Sequence, residues 1–185
     1  MQTGSRPGLR ALQPQPGTHP GTDSQAIELA MERLRLLVWK LSSYSNSRIV
    51  AVAKGFVDTS RESPALASEC HRTFVDCLQG AFSGLEARRC LALLYVCNEI
   101  VTMAPGDEGW RAVLSAAVLK YVPIVCELAL RQNELNVVLN VMRLPGVWKQ
   151  QQLFDAEACD EIKALCEMHH RCVCVCFKTF LVCVS

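Results

Sequence analysis

The segment that decides the fold is Ser83 to Met103, which reads SGLEARRCLALLYVCNEIVTM. Its first four residues match a capping box, in which serine and glutamate side chains bond the free backbone N–H groups at a helix start. From Leu91 to Cys97 the segment is apolar on nearly all sides, as is typical of a helix surrounded by other helices. The sequence therefore predicts a central helix that ends near Met103.

Helix start and stop signals recur on both sides of this central helix. No stretch before the extreme C-terminus alternates as a half-buried strand does, so the predicted fold class is all-α. The signals are caps at Asp23 or Ser24, Ser63, Asp107, Asn133 and Asp155, a polar break at Ser42–Ser47, and breaks at Pro123 and Pro145-Gly146. They predict about eight short helices with short connections, which favours a curved stack. The seventh predicted helix contains Leu135, Val138, Leu139 and Met142.

Composition allows one folded domain with a tail at each end. Half of the 185 residues are hydrophobic, which is enough for one full core, and Lys+Arg 19 against Asp+Glu 18 gives a net charge of +1. Residues 1–22 are rich in Pro and Gly and are predicted to form a disordered arm. The helical domain is predicted at 23–167, followed by a Cys-rich hydrophobic tail of uncertain structure at 168–185.

Cysteine usage and apolar run length indicate the cellular setting. Five of the eleven cysteines, at 70, 77, 90, 97 and 126, stand singly among apolar residues, where a thiol packs as a small hydrophobe. The first residues lack the apolar core of a secretory signal. We therefore expect an intracellular, reducing compartment. Uninterrupted apolar stretches fall short of the roughly 18 to 20 residues of a membrane span, so a soluble protein is expected.

The residue constellations of common enzymes and metal sites are missing from the sequence. It contains no phosphate-binding glycine loop, G-x-S-x-G elbow or H-E-x-x-H helix, and His71 is interpreted as a surface or core-edge residue. The run His169–Cys176 supplies soft metal ligands, but its C-x-C-x-C spacing is unlike that of a structural zinc site. We predict no enzyme activity, no cofactor and no metal.

Polar residues on the central helix form a stripe that is unusual in an apolar rod. Arg88, Tyr95, Glu99 and Thr102 share one face at helical spacing, with Asn98 beside them. Such groups need hydrogen-bond partners. They either bond neighbouring helices and fix the packing, or they face a ligand.

The start of the second predicted helix combines several groups that favour an anion. Ser45, Asn46, Ser47 and Arg48 bring together hydroxyls, a guanidinium and the free N–H groups at the positive end of a helix dipole. The alternative is that Ser45 or Ser47 is only an N-cap and Arg48 a solvated charge. The sequence leaves both interpretations open.

Three segments resemble the CTD-interacting (RPR) domain family. Leu93–Val101 is similar to the family's L-Y-L-x-N-D-V-I signature, and Ser45–Ile49 is similar to the S-x-S-R-I of some members. Leu139–Trp148 resembles a third family motif, L-x-I-W-x-x-R-x-V-F, more loosely. The resemblance implies a right-handed superhelix of about eight short helices that binds the C-terminal tail of RNA polymerase II.

The resemblance also implies a binding site between the second, fourth and seventh helices. Glu99 takes the position of the aspartate that accepts a hydrogen bond from a peptide tyrosine, and Val137 takes that of an arginine that reads phosphate in some members. The implied peptide-binding residues are Tyr95, Asn98, Glu99, Val137, Asn140 and Val141, and the implied phosphate-binding residues are Ser45, Asn46, Ser47 and Arg48. We expect the arginine readout at Val137 to be absent.

The function implied by the resemblance is that of a nuclear adaptor. It would bind the tail of RNA polymerase II, phosphorylated or not, as a monomer, and recruit RNA 3′-end processing or termination factors, with no direct membrane or nucleic-acid contact. The alternative is a membrane-traffic adaptor of the VHS or ENTH type that binds sorting peptides or phosphoinositides. The basic residues of the first helix and its upstream arm are dispersed, which argues against a lipid pocket.

Overall fold

The computed structural model describes residues 20–41, 45–84 and 86–168. Most of the predicted N-terminal arm and of the Cys-rich tail lies outside these ranges. The first helix begins at Pro20, three residues before the predicted domain start at Asp23.

The described residues form seven α-helices and no strand, which confirms the all-α fold class. The helices are α1 Pro20–Trp39, α2 Asn46–Ser60, α3 Pro64–Ser83, α4 Ala87–Met103, α5 Glu108–Arg131, α6 Leu135–Gln150 and α7 at 156–168. From α1 to α6, each helix packs against the next helix and the one after it, and against no others. This contact pattern is typical of a helical stack that curves into a superhelix.

Three predicted helix starts are confirmed by side-chain caps. The Oγ of Ser63 accepts a hydrogen bond from the Leu66 N–H at 3.2 Å, before α3. The Oδ1 of Asp107 accepts one from the Trp110 N–H at 2.9 Å, before α5. Asp155 caps α7 in the same way, through the N–H groups of residues 157 and 158. Each cap satisfies a backbone donor that the helix itself cannot.

The predicted capping box at Ser83 and the predicted cap at Asn133 are wrong. Ser83 is the last residue of α3, and its hydroxyl donates to the Gln79 carbonyl at 2.9 Å. Glu86 precedes α4 and makes no side-chain cap. Asn133 has a left-handed φ of 57°, and Glu134 takes the N-cap position of α6. Because Leu78, Ala81 and Phe82 are buried, packing extends α3 through the predicted box.

Two prolines that were predicted to break helices lie inside them. Pro123 is within α5, so the predicted fifth and sixth helices are one, and Pro145 is within α6. A proline inside a helix costs roughly 3 kcal/mol, since it removes one hydrogen bond and crowds the preceding turn. The buried residues that flank both prolines offset this cost, because ending the helix would expose them.

The central position predicted for α4 is confirmed. It packs against α2, α3, α5 and α6. Leu91, Leu93, Leu94, Cys97 and Ile100 are buried completely or almost so. The apolar sides of α4 are thus covered by other helices.

Helix α5 is long and apolar enough to cross a bilayer by length and composition. Its most apolar window has a mean hydropathy of 1.8. The lengths of the uninterrupted apolar runs did not indicate this, because single polar residues interrupt them. Of that window, 56% is buried inside the fold. Packing against α3, α4 and α6 accounts for this apolar character, as expected for a core helix.

The different roles of Asp107 and Ser83 can be tested by stability measurements. Asp107→Ala should lower the free energy of unfolding by about 1 kcal/mol, because the Trp110 N–H loses its partner. Ser83→Ala should change it by about 0.5 kcal/mol or less, as at an ordinary surface position. Urea denaturation measures both changes. If Ser83→Ala lowers the free energy of unfolding as much as Asp107→Ala does, Ser83 caps a helix after all.

Candidate functional site

The surface of α4 lies exposed between α2 and α6. Helix α4 packs against both, whereas the described residues of α2 and α6 make no contact with each other. Helices α2 and α4 run in the same direction, because Arg61, just after α2, donates to the Met103 carbonyl at the end of α4 at 2.9 Å. The polar stripe of α4 thus forms the floor of a groove whose walls are α2 and α6.

Asn98 is held in this floor by bonds to two other side chains. The indole Nε1 of Trp148, on α6, donates to Asn98 Oδ1 at 3.1 Å. Asn98 Nδ2 donates to Glu99 Oε1 at 3.4 Å. The hydroxyl of Thr102 donates to the backbone carbonyl of Asn98 at 2.8 Å. Asn98 and Thr102 are therefore partnered within the fold, and the carboxylate of Glu99 has the capacity to accept further hydrogen bonds.

Arg88 links the start of α4 to the start of α6. Its Nη2 lies 2.8 Å from Glu134 Oε2, in an ion pair that is largely exposed to solvent. Exposed pairs of this kind contribute about 0 to 1 kcal/mol. We therefore interpret the pair as a contact that holds the starts of α4 and α6 together, and not as part of a ligand site.

Tyr95, on α4, and Arg143, on α6, lie close enough for the charge of Arg143 to act on the Tyr95 hydroxyl. Burial raises the pKa of the Tyr95 hydroxyl, and the positive charge of Arg143 partly lowers it again. The hydroxyl is therefore protonated at neutral pH and can donate as well as accept. Arg143 is exposed on α6. It falls on an unspecified position of the third family motif, so that motif did not mark it as a binding residue.

Only one of the three predicted binding residues on α6 reaches the surface. Val137 is 1% exposed and Val141 is 0% exposed, whereas Asn140 is partly exposed. Side chains buried this deeply are not available to a peptide on the surface. Val137 and Val141 instead pack into the core beneath α6. Asn140 and Arg143 lie about one turn apart on its solvent-accessible side.

The core face of α6 leaves out two of the four apolar residues named for the seventh predicted helix. Leu135 is 61% exposed and Leu139 is 53% exposed. Val138 is buried, and Val137, Val141 and Leu144 complete the core face. Helix α6 has more apolar residues than core positions. The spacing of its apolar residues therefore fits two overlapping faces, and the sequence alone does not show which of them is buried.

The residues at the start of α2 are close together and solvent-accessible. Ser45 occupies the N-cap position of α2 but makes no side-chain cap. Its hydroxyl instead lies 3.0 Å from the hydroxyl of Ser47. Asn46, Ser47 and Arg48 are exposed. Ser45 thus stands at the N-cap position without capping through its side chain, and both interpretations of this segment remain open.

A cavity of about 790 Å³ opens beside this segment, between the end of α1 and the starts of α2 and α4. Three cationic side chains line it, namely Lys40, Arg48 and Arg89, against one acidic residue, Glu86. Trp39 forms an aromatic wall and is 69% exposed. The cavity therefore has the charge to hold an anion, and Lys40 and Arg89 were missed because they converge with Arg48 only in the folded chain.

One atom of this cavity lacks a partner in the described part of the chain. The Nε of Arg89 is shielded from solvent and makes no hydrogen bond there. A buried donor without an acceptor is costly, by roughly 1 to 3 kcal/mol. An anionic group in the cavity could accept from it.

Burial suppresses the thiol chemistry of three cysteines on α3 and α4. Burial raises the pKa of the Cys70 and Cys90 thiols to about 12, and raises that of Cys97 as well. Thiols in this state are neither nucleophiles nor metal ligands. Within the described ranges no group of three or more His, Cys, Asp or Glu could hold a metal. The run His169–Cys176 lies outside those ranges.

Comparison with known proteins identifies one family. The family model of the CID domain matches residues 35–162, more than half of the chain. No curated protein and no solved structure matches the chain. The match spans the groove and the cationic cavity, and gives no support to the membrane-traffic alternative.

The environment of His71 predicts a pH dependence of stability. Burial lowers the pKa of His71, which Asp107 partly opposes, and the ring packs edge-on against Trp110 at 4.4 Å. Because the unfolded chain binds this proton more readily, stability should fall as the pH drops below about 6.5.

Denaturation of the protein and of a His71→Gln variant between pH 7.5 and 5.5 measures this effect. The variant should lose part of the pH dependence, since it lacks the group whose pKa differs between the folded and the unfolded chain. An unchanged slope would mean that His71 is protonated equally in both states.

Proposed function

The chain belongs to the CID family, and from that premise we propose that its groove binds the C-terminal tail of RNA polymerase II. CID domains are binding modules that act as adaptors between the polymerase tail and RNA processing. The finer proposal is a nuclear adaptor that recognises the tail in a phosphorylated form. It would couple transcription to RNA 3′-end processing or termination.

The observation that carries the proposal is the half-buried acceptor on the groove floor. Glu99 lies on α4 between two helical walls, with Asn98 as a donor 3.4 Å away. A tyrosine hydroxyl of the peptide can donate to this carboxylate, and a bond to a charged group is worth about 1.5 to 3 kcal/mol. Glutamate is one methylene longer than the family's aspartate, so the tyrosine ring should sit farther from the α4 backbone.

The cationic cavity is proposed to receive a phosphate from the same peptide. Arg89 and Glu99 are separated by about 15 Å along α4, given a rise of 1.5 Å per residue. An extended peptide needs at least about five residues to cover that axial distance. A tyrosine over Glu99 and a phosphoserine near Lys40, Arg48 and Arg89 could therefore belong to one tail segment. Ser45, Asn46 and Ser47 would contribute hydroxyl, amide and backbone donors at its edge.

On the opposite wall, Arg143 is proposed to supply the cation that Val137 does not. It is exposed beside Tyr95, with Asn140 one turn away. An acidic or phosphorylated residue next to the peptide tyrosine would form an ion pair with the Arg143 guanidinium. Peptide preference should therefore differ from that of family members with an arginine at the Val137 position.

A titration with fluorescent tail peptides tests the proposal directly. We expect dissociation constants of micromolar to tens of micromolar, as for small transient interfaces. Glu99→Ala should weaken binding at least about ten-fold with little change in thermal stability. Glu127→Ala, a partly exposed helical glutamate on α5, is the matched control and should bind normally. Folded protein that binds neither phosphorylated nor unphosphorylated peptide would refute the proposed function.

The phosphate-reading role of the cavity has its own test. Arg48→Ala and Arg89→Ala should weaken the phosphorylated peptide several-fold and leave the unphosphorylated peptide unchanged, because only the former carries the anion. Arg72→Ala, on α3 and paired with Glu69, is the control. Equal losses for both peptide forms would remove the cavity from phosphate recognition.

A further inference from the structure

Two tryptophans are completely buried, and each donates its indole N–H to a polar side chain. Trp110 donates to Ser60 Oγ at 3.0 Å, at the start of α5. Trp148 donates to Asn98 Oδ1 at 3.1 Å, at the edge of the groove. Both tryptophan side chains are 0% exposed. The two bonds are alike, but only that of Trp148 engages a groove residue.

The bond from Trp148 determines which end of the Asn98 amide faces the groove. An indole N–H can only donate, so the atom that meets it must be the amide oxygen. The amide nitrogen then points the other way, 3.4 Å from Glu99 Oε1. Turning the amide over would set two donors against each other at Trp148 and two acceptors against each other at Glu99. Both neighbours therefore select the same orientation.

Trp148 is itself held firmly. Trp148 lies in the last turn of α6, which continues past Pro145 to Gln150. The ring of Phe154 packs edge-on against it, with 5.0 Å between ring centroids. Its position is thus fixed from two sides before any ligand arrives.

We propose that Trp148 is a positioning residue for peptide recognition: it fixes Asn98 as a donor, so that the groove presents a donor and an acceptor side by side. This pair fits a ligand that offers a carbonyl oxygen to Asn98 Nδ2 and a hydroxyl hydrogen to Glu99. A tyrosine next to an accessible peptide carbonyl has this chemistry. The inference rests on the proposed function, because it concerns the same groove.

The first test compares two variants that remove one indole N–H each. Trp148→Phe and Trp110→Phe both keep an aromatic ring in the core and leave one polar side chain without its donor. Both should lower the melting temperature to a similar extent. Only Trp148→Phe should weaken the tail peptide, by about five- to ten-fold, while Trp110→Phe stays within two-fold of the unmodified protein. Equal affinities for the two variants would overturn the inference.

The second test changes the amide and leaves Trp148 in place. Asn98→Asp keeps an acceptor for the indole but replaces the groove donor by an acceptor next to Glu99. Peptide affinity should fall at least ten-fold, although the contact with Trp148 remains. If Asn98→Asp binds as tightly as the unmodified protein, Asn98 serves only to anchor α6. This variant decides the question even if Trp148→Phe fails to fold.

Failure of the proposed function can be told apart from failure of this inference. Side-chain amide signals in ¹⁵N NMR spectra report the orientation of Asn98 without any peptide. Trp148→Phe should shift the Asn98 amide signals, and Trp110→Phe should not. If the unmodified protein binds no tail peptide but these shifts occur, the proposed function is wrong and the orientation stands. If peptide binds and the shifts do not occur, the inference is wrong and the function stands.

Discussion

The enclosure of α4 by four other helices is the constraint on which the rest of the structure depends. A helix covered on most of its surface must be apolar on those sides, since burying unpartnered polar groups is costly. Apart from Arg89, which lines the cationic cavity, the polar residues of α4 are then confined to the one stripe that the neighbouring helices leave open. The groove and its chemistry follow from the same packing that stabilises the fold.

Within that stripe, the side chains divide between packing and recognition. Arg88 pairs with Glu134, and Thr102 bonds the α4 backbone. Asn98 takes part in both, since its oxygen faces Trp148 and its nitrogen faces Glu99. The two alternatives that the sequence left open for the stripe are thus not exclusive. Bonds to a neighbouring helix prepare the geometry that a ligand would meet.

Much of the fold could be predicted from the sequence because its signals are local. Ser63, Asp107 and Asp155 cap helices through side chains that reach only two or three residues ahead. Pro123 and Pro145 were misjudged because the cost of a proline is local, whereas the burial that offsets it comes from distant helices. A cap motif was likewise overridden at Ser83, where the packing of α3 extends the helix.

The candidate site was less accessible to sequence reasoning. Glu99 and Arg48 lie in short recognisable motifs, but the side chains that complete their surroundings come from other helices. Lys40 and Arg89 join Arg48 only when α1 and α4 meet α2. Val137 and Val141 belong to a face of α6 that spacing could not separate from the exposed one. Such convergences depend on tertiary packing, which no local pattern encodes.

The central claim is that the polar floor of α4 is a peptide-binding surface. An NMR titration of the ¹⁵N-labelled protein with a tyrosine-containing tail peptide tests it most directly, by mapping which backbone amides respond. The account predicts that the largest shifts cluster at Tyr95 to Thr102 and along the facing sides of α2 and α6. Shifts confined to α3 and the outer face of α1, with α4 unaffected, would contradict it.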